Sequence, residues 1–351
     1  MICEGKKVFV ALSGGVDSST AAALLLEKGF DCAGIFMITN INSHHAQADA
    51  EQVAGKLGIK LYVLDLRRDF ERILDYFCSE YKRGRTPNPC VFCNRYIKFG
   101  KLWDFARCNG ADLLATGHYA RIFQHNNQTG LYEGVNFDKD QSYVLSMINK
   151  EILPYIILPM GDYSKDQTRQ MAAKFDLGTE HKAESQEICF IPGDNYVALL
   201  EQKCPELVRK GDIIDSTGKI LGEHNGVHRF TIGQRRGLRV AMGKPYYVVK
   251  LDAETNTVTL GPKEEVMHSK LWATDVNWLI DEPVKSFRAK VKIRYNDTGT
   301  PARISPQEKN VIVEFDEPNS AITPGQLAAF YVEEGKNSRL IGGGWIDKVA
   351  D

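Results

Sequence analysis

The chain has 351 residues, 43% of them hydrophobic and 25% charged, with 44 Lys and Arg against 45 Asp and Glu. These proportions belong to an ordinary globular protein and exclude a collagen, a disordered tail and a small disulfide-stapled scaffold. The net charge of −1 excludes a strongly basic protein, but not a nucleic-acid binder, because local patches rather than the total decide that.

The length predicts two or three domains. The opening residues, MICEGKKVFVALSGG, enter a strand-like run at once and lack a signal-peptide layout. No apolar run reaches the roughly 18 residues needed to span a bilayer, so a cytoplasmic location is expected. Strand and helix signals then alternate. Val8–Leu12, Cys32–Met37, Leu61–Leu64 and Asp112–Thr116 read as strands. Ser18–Lys28, Ala46–Leu57 and Tyr96–Cys108 read as helices, closed by Gly29, Gly58 and Gly110. This alternation predicts an α/β fold with a doubly wound parallel sheet, whose ligands bind beyond the carboxyl ends of the strands.

Residues 140–203 read as mainly helical, with capping-box spacing at Ser164–Gln167. From Gly211 onward the pattern is short strands and turns, predicting two small β-rich domains divided near residues 265–270. The predicted boundaries are 1–203, 204–267 and 268–351. Phe287–Arg294 alternates strictly, with Phe287, Ala289, Val291 and Ile293 inward and Arg288, Lys290, Lys292 and Arg294 on the other face. Between Lys203 and Lys250, ten basic residues stand against four acidic ones. Both stretches are candidate footprints for an RNA backbone, although a charged strand face is often only solvated.

Ser13-Gly-Gly-Val-Asp-Ser-Ser19 lies between the first strand and first helix. Paired glycines allow close backbone approach, and a helix N-terminus presents free N–H groups to an anion. The string lacks GKS or GKT and lacks GxGxxG, so it is neither a Walker loop nor a dinucleotide fingerprint. Asp17 beside a phosphate implies an accompanying cation, with Mg²⁺ the natural candidate. SGGVDSS resembles the pyrophosphate loop of the ATP pyrophosphatases, which adenylate a substrate and release pyrophosphate.

The eight cysteines fit no disulfide framework. Thr86-Pro-Asn-Pro-Cys-Val-Phe-Cys-Asn94 carries a CxxC pair, Cys90 and Cys93, among Arg83, Arg85, Arg95 and Lys98. Nearby cations and a following helix start predict lowered thiol pKa values. A third thiol, Cys189, lies in SQEICFI. A zinc knuckle, a redox pair and a buried core cysteine remain alternatives for these residues.

The ordered set SGGVDSS, TPNPCxxCN, ATGHYA and SQEICFI resembles the tRNA-uridine 2-sulfurtransferase family, also called tRNA-specific 2-thiouridylases. Asp138–Tyr143, His228–Leu238, Arg294-Tyr295 and Pro324–Gln326 extend the likeness over nearly the whole chain. The resemblance implies ATP held by Ala11, Leu12, Ser13, Gly14, Gly15, Val16, Asp17 and Ser18, with Met37 and Gly117 at the adenine and ribose. It implies Cys189 as the persulfide carrier and Cys93 as the partner nucleophile. It implies Asn88, Pro89 and Cys90 at the target base, and His118, Lys139, Asp140, Gln141, Arg294, Tyr295 and Gln326 on tRNA. A cysteine desulfurase or relay protein is the implied sulfur donor. The Met37–His45 segment is shorter than in many members, and some carry Asp at the position of Cys90. Three other readings stand beside this one. One is a thiolase with an iron–sulfur cluster on Cys90, Cys93 and Cys189. Another is a non-thiolating ligase or amidotransferase of the same loop family, which would need an ammonia or amine site. The last is an RNA-binding protein with a structural metal.

Overall fold

The computed structural model describes residues 5–40, 43–125, 128–182, 189–191, 193, 195–240, 243–308 and 310–350. Cys3 and Ser185–Ile188 of the SQEICFI segment lie outside them.

The first unit runs β1 (Lys7–Ala11), α1 (Val16–Glu27), β2 (Asp31–Ile38), α2 (His44–Leu57), β3 (Lys60–Asp65), α3 (Arg67–Lys82) and α4 (Pro89–Cys93). A π-helical stretch, Asn94–Lys101, continues α4 into α5 (Leu102–Cys108), and β4 (Leu113–Ala115) follows. The strands carry the apolar runs read from sequence, and Gly29, Gly58 and Gly110 do sit in the left-handed region after their helices. Helix α3 was not foreseen. Its buried face, Phe70, Ile73, Phe77 and Tyr81, recurs every three to four residues within a charged segment.

Beyond β4 the chain departs from the mainly helical expectation. It forms a hairpin, β5 (Ala120–His125) and β6 (Gln128–Glu133), then a short strand β7 (Ile156–Ile157) amid single 3₁₀ turns. Among the described residues of this region, α6 (Lys165–Lys174) and α7 (Tyr196–Lys203) are the α-helical segments. The capping box at the head of α6 forms as expected: Ser164 Oγ accepts from Gln167 N–H, and Gln167 Oε1 accepts from Ser164 N–H. The parallel sheet has the order β3-β2-β1-β4-β7. The order reverses between β1 and β4, so the crevice beyond that pair is where a doubly wound sheet binds its ligand.

The second unit is a four-stranded sheet, β10-β11-β8-β9, built from β8 (Gly211–Asp215), β9 (Ile220–His224), β10 (Tyr247–Asp252) and β11 (Thr257–Gly261). The third contains β12 (Met267–Trp278), β13 (Phe287–Lys292), β14 (Thr300–Pro306), β15 (Asn310–Ser320), β16 (Leu327–Glu334) and β17 (Asn337–Ala350). Pairing of β12 with both β15 and β17 closes these six strands into a barrel. Hairpin β5–β6 adds to β17 and makes one sheet across the first and third units. Their cores also merge: Phe9, Val91, Ile97 and Tyr143 pack in one cluster with Leu327, Tyr331 and Leu340.

The inward face of β13 is as read, with Ala289, Val291 and Ile293 in the barrel core. Its basic face is a correction. Lys292 is 1% exposed and bridges Glu133 at 2.7 Å and Asp140 at 3.3 Å. Lys290 pairs with Glu133 and Glu333, and Arg288 with Asp316. Three of the four cations join the hairpin to the barrel or satisfy local carboxylates rather than face a phosphate backbone. Deleting one partner of the buried Lys292 set would strand a charge, at a cost of about 3–5 kcal/mol.

Candidate active site

The SGGVDSS loop leaves β1 at the crevice. Leu12 and Val16 turn their side chains into the core, so the loop offers backbone and hydroxyls. Gly14 has φ +76°, and a Cβ there would lie 2.6 Å from Asp49 Cβ and 2.9 Å from Ala46 O on α2. Ser18 Oγ accepts from Ser13 N–H at 3.1 Å and lies 3.0 Å from Ser13 Oγ. Gly15 is the N-cap of α1 and has no side chain to satisfy the first-turn N–H groups. The result is a stiff anion cradle at the positive end of a three-turn helix.

Two lysines that sequence reading did not single out converge on it. Lys165 Nζ lies 2.7 and 2.8 Å from the two Asp17 carboxylate oxygens, and Tyr119 donates its hydroxyl to Asp17 at 2.7 Å. Lys182 Nζ donates to Gly14 O at 3.0 Å and pairs with Asp49 at 2.7 Å. Lys165 was legible, since the capping box puts it at the first helical position of α6. Lys182 precedes the Cys189 segment and carried no local signal.

The loop after β4 closes the other side. A Cβ on Gly117 would lie 2.8 Å from Ser18 N and 2.9 Å from Asp17 C, so this strap presses on the phosphate loop as only glycine can. The next residue, His118, is buried beside Thr116 and Lys98, with Nδ1 2.7 Å from Thr116 Oγ1 and Nε2 3.4 Å from Lys98 Nζ. Lys98 in turn acts on the thiols of Cys90, Cys93 and Cys189. A single tripeptide therefore runs from the SGGVDSS loop to Lys98, the cation that opposes the burial of the thiols.

Cys93 is buried, whereas Cys90 and Cys189 are open to solvent though ringed by protein, as in a recess. Asn88 caps α4 by accepting from Val91 N–H. Phe190, next to Cys189, packs edge-on against Phe70 and Phe77 of α3, so the unforeseen helix is what seats the third thiol. The expectation of lowered thiol pKa values is not met. Burial pushes Cys93 up to about 12, with Lys98 opposing and the neighbouring thiols adding to the rise. Cys90 and Cys189 are raised as well, again first by burial and against Lys98. Desolvation outweighs both the cations and the helix terminus. Among the described residues no group of three or more His, Cys, Asp or Glu is drawn together as a metal site.

The other residues singled out from sequence fall in three places. Met37 is the penultimate residue of β2 and packs on the shared core. Asp140 is buried on Lys292, Ser142 and Gly134 N–H, and Gln141 accepts from Tyr119 N–H. Gln326 donates to Thr86 O and Pro87 O at 2.9 and 3.2 Å, so the barrel holds the loop leading to Cys90. Lys139 and Tyr295 are part-buried and Arg294 is exposed. Tyr295 lines a cavity of about 270 Å³ with Phe137, Asp138, Asp140, Lys292 and Asn296, and burial, with Asp140 adding to it, pushes its hydroxyl up to about 12.

The second basic stretch fares better than β13 as an RNA-facing surface. Arg235, Arg236 and Arg239 are exposed and, among the described residues, have no carboxylate partner. Replacing Arg235 and Arg236 together with Ala should weaken tRNA binding and flatten the log affinity–log salt slope by about 2, as expected for two lost phosphate contacts. A filter-binding titration across salt concentrations measures it, and an unchanged slope would remove this patch from the interface.

A parallel sheet with an SGGVDSS loop at its switch point defines a pyrophosphate-loop ATP pyrophosphatase, and such a fold uses ATP. The family models described as tRNA methyl transferase HUP domain, tRNA methyl transferase PRC-barrel domain and Aminomethyltransferase beta-barrel domain match residues 6–193, 198–262 and 268–346. The chain is 45% identical to a tRNA-specific 2-thiouridylase of Carboxydothermus hydrogenoformans, over 98% of each chain. It is 43% identical to that of Syntrophotalea carbinolica over 98% of this chain and 99% of the relative, and 44% identical to that of Pelotomaculum thermopropionicum over 99% of both. The chain belongs to the tRNA-specific 2-thiouridylase family.

Proposed function

We propose that this protein thiolates the wobble uridine of tRNA at C2, using ATP and a cysteine persulfide. The observation that carries the reading is the continuity of Thr116, Gly117 and His118: Gly117 touches the phosphate loop, and His118 touches the lysine that serves the thiols. Activation and sulfur delivery can then act on one base without its leaving the cleft.

In the first step the C2 oxygen of uridine attacks the α-phosphorus of ATP. An O–P bond forms, the α–β phosphoanhydride breaks and pyrophosphate leaves. The Gly14–Ser18 backbone, the uncapped head of α1, Lys165 and Lys182 supply the positive field that such a phosphate needs. Mg²⁺ accompanying ATP would take oxygen ligands from Asp17. Ala11–Ser18 with Met37 and Gly117 form the nucleotide site in this reading. In the second step the terminal sulfur of a Cys189 persulfide attacks C2, and AMP leaves with the former carbonyl oxygen. Cys93 then attacks the Cys189 sulfur, freeing 2-thiouridine and leaving a Cys93–Cys189 disulfide that a thiol reductant reopens. Asn88, Pro89 and Cys90 face the base. His118, Lys139, Asp140, Gln141, Arg294, Tyr295 and Gln326 shape or contact the tRNA side, and the cavity at Tyr295 offers space that a base lifted from its stack would need.

We take the working units as 1–203 for adenylation and sulfur transfer, with 204–267 and 268–351 as the two β-rich units that grip tRNA. The separate parallel sheet, four-stranded sheet and six-stranded barrel support this division, and the β5–β6 hairpin fastens the first unit to the third. No helix among the described residues is long and apolar enough to cross a membrane, and a cytoplasmic enzyme charged by a cysteine desulfurase or a sulfur-relay protein fits the chemistry.

The test is anaerobic purification with an iron and acid-labile sulfide assay, followed by incubation with ATP, a persulfide donor and a tRNA transcript. The expected result is 2-thiouridine, AMP and pyrophosphate in equal amounts from iron-free protein, with Cys90→Ser still active. About four irons per chain, with Cys90→Ser dead, would replace this mechanism by the cluster-dependent one.

A further inference from the structure

Residues Arg85–Asn88 lead from α3 to the head of α4 and form neither helix nor strand. Pro87 and Pro89 have no N–H to give, so this stretch has few bonds of its own to hold it in place. The barrel supplies what is missing. Thr86 N–H donates to Pro324 O at 2.9 Å. Gln326 Nε2 donates to Thr86 O and Pro87 O. Gly325, between them, has φ +92°, and a Cβ there would lie 2.8 Å from Thr86 O. The turn Pro324–Gln326 is itself fixed on β17: Gly325 N–H donates to Ile346 O at 2.9 Å, and Ile346 N–H to Gln326 O at 2.8 Å.

Arg85 closes the joint from the other side. Its Nε lies 2.9 Å from Glu80 Oε2 on α3, while Nη1 donates to Asp347 Oδ1 and Nη2 to Ile346 O, both at 2.9 Å. A guanidinium is a rigid planar fork, so this one side chain fixes the spacing of α3 and β17 about the loop. Beside it, Tyr76 of α3 stacks on Phe92 of α4 at 4.7 Å and meets Trp345 of β17 at 5.6 Å. Neither polar group is turned toward RNA. A primary amide has two N–H bonds, and Gln326 has two loop carbonyls to receive them. Arg85 has its charge met by two carboxylates, Glu80 and Asp347.

We propose that Arg85 and Gln326 are positioning residues, through which the C-terminal barrel sets the place of Asn88 and the CxxC helix, and that neither contacts tRNA. Asn88 caps α4 and Cys93 ends it, so a displacement of Thr86 and Pro87 reaches the base-facing residues and the Cys93 thiol together. Reactions that depend on close alignment lose rate steeply when the reacting groups shift by even an ångström. What the positioned segment does rests on the thiolation reading, whereas the joint between barrel and loop does not.

The experiment compares wild type, Arg85→Ala, Arg85→Lys, Gln326→Met and the Arg85→Ala/Gln326→Met double variant. Each is measured for thiolation kcat, for tRNA Kd by filter binding, and for amide hydrogen exchange in the peptide spanning residues 85–93. Arg85→Ala and Gln326→Met should each lower kcat at least about tenfold and speed exchange in that peptide about tenfold, with tRNA Kd within about twofold of wild type. Arg85→Lys, which keeps a cation between Glu80 and Asp347, should recover part of the lost kcat. The double variant should fall within about twofold of the worse single variant, because both act through one loop. Three results would overturn the proposal: unchanged kcat in folded Arg85→Ala, losses that multiply in the double variant, or tRNA affinity falling as far as kcat in Gln326→Met, which would make Gln326 an RNA contact. If Arg85→Ala does not fold, Gln326→Met carries the test, and unchanged kcat there overturns it instead. Hydrogen exchange needs neither ATP nor tRNA. A wild type that makes no 2-thiouridine would sink the thiolation reading, whereas wild-type exchange in both single variants would remove the joint itself.

Discussion

Cys189→Ser should cut 2-thiouridine formation by at least about a thousandfold while tRNA still draws pyrophosphate from ATP. A serine hydroxyl cannot carry a transferable sulfur, and it is a far weaker nucleophile than a thiolate near neutral pH. The adenylation half lies in the loop between β1 and α1, across the Thr116–His118 strap from the sulfur, so losing one thiol leaves the phosphate cradle intact. Rapid quench with radiolabelled ATP and a tRNA transcript would show adenylated tRNA accumulating. Loss of pyrophosphate release to the same extent as loss of thiolation would mean that Cys189 is needed to build the site, and its assignment as sulfur carrier would fail.

Gly117→Ala should produce the complementary defect. Its new methyl would lie 2.8 Å from Ser18 N and 2.9 Å from Asp17 C, both backbone atoms that cannot swing aside. Either the strap or the phosphate loop must retreat by a few tenths of an ångström or more. Misplacement on the scale of 1 Å costs about a hundredfold when geometry carries the rate. The expected result is a fall of that order in ATP-dependent pyrophosphate release, with iodoacetamide alkylation of Cys189 unchanged in rate and a melting curve showing a folded protein. Normal pyrophosphate release would show that the strap does not set the phosphate loop.

Much of the architecture is legible in the chain because it is written locally. The apolar runs at β1–β4, the glycines that end the helices and the capping box at Ser164 each depend on neighbours a few residues away. The phosphate loop is legible for the same reason: a glycine pair, two hydroxyls and a helix start act through backbone geometry that the string itself creates. Helix α3 escaped because its apolar positions are diluted by charge in a segment without a clear start signal. Hairpin β5–β6 escaped because its partner, β17, lies some 200 residues away, and an edge strand is defined by what it pairs with.

The sulfur site divides along the same line. Sequence by itself singled out three thiols and the SGGVDSS loop as candidates and pointed to the family to which the chain belongs, since these rest on short ordered motifs. Tertiary structure alone decided what environment those groups meet. It buried Cys93 and raised its pKa where local charges predicted the reverse, because desolvation depends on every atom packed around a sulfur rather than on its neighbours in the chain. It turned Lys292 from a candidate RNA contact into a buried partner of Glu133 and Asp140, because alternation places a side chain on a face but not what covers that face. It also brought Lys165 and Lys182 to the SGGVDSS loop, across separations that no periodicity spans.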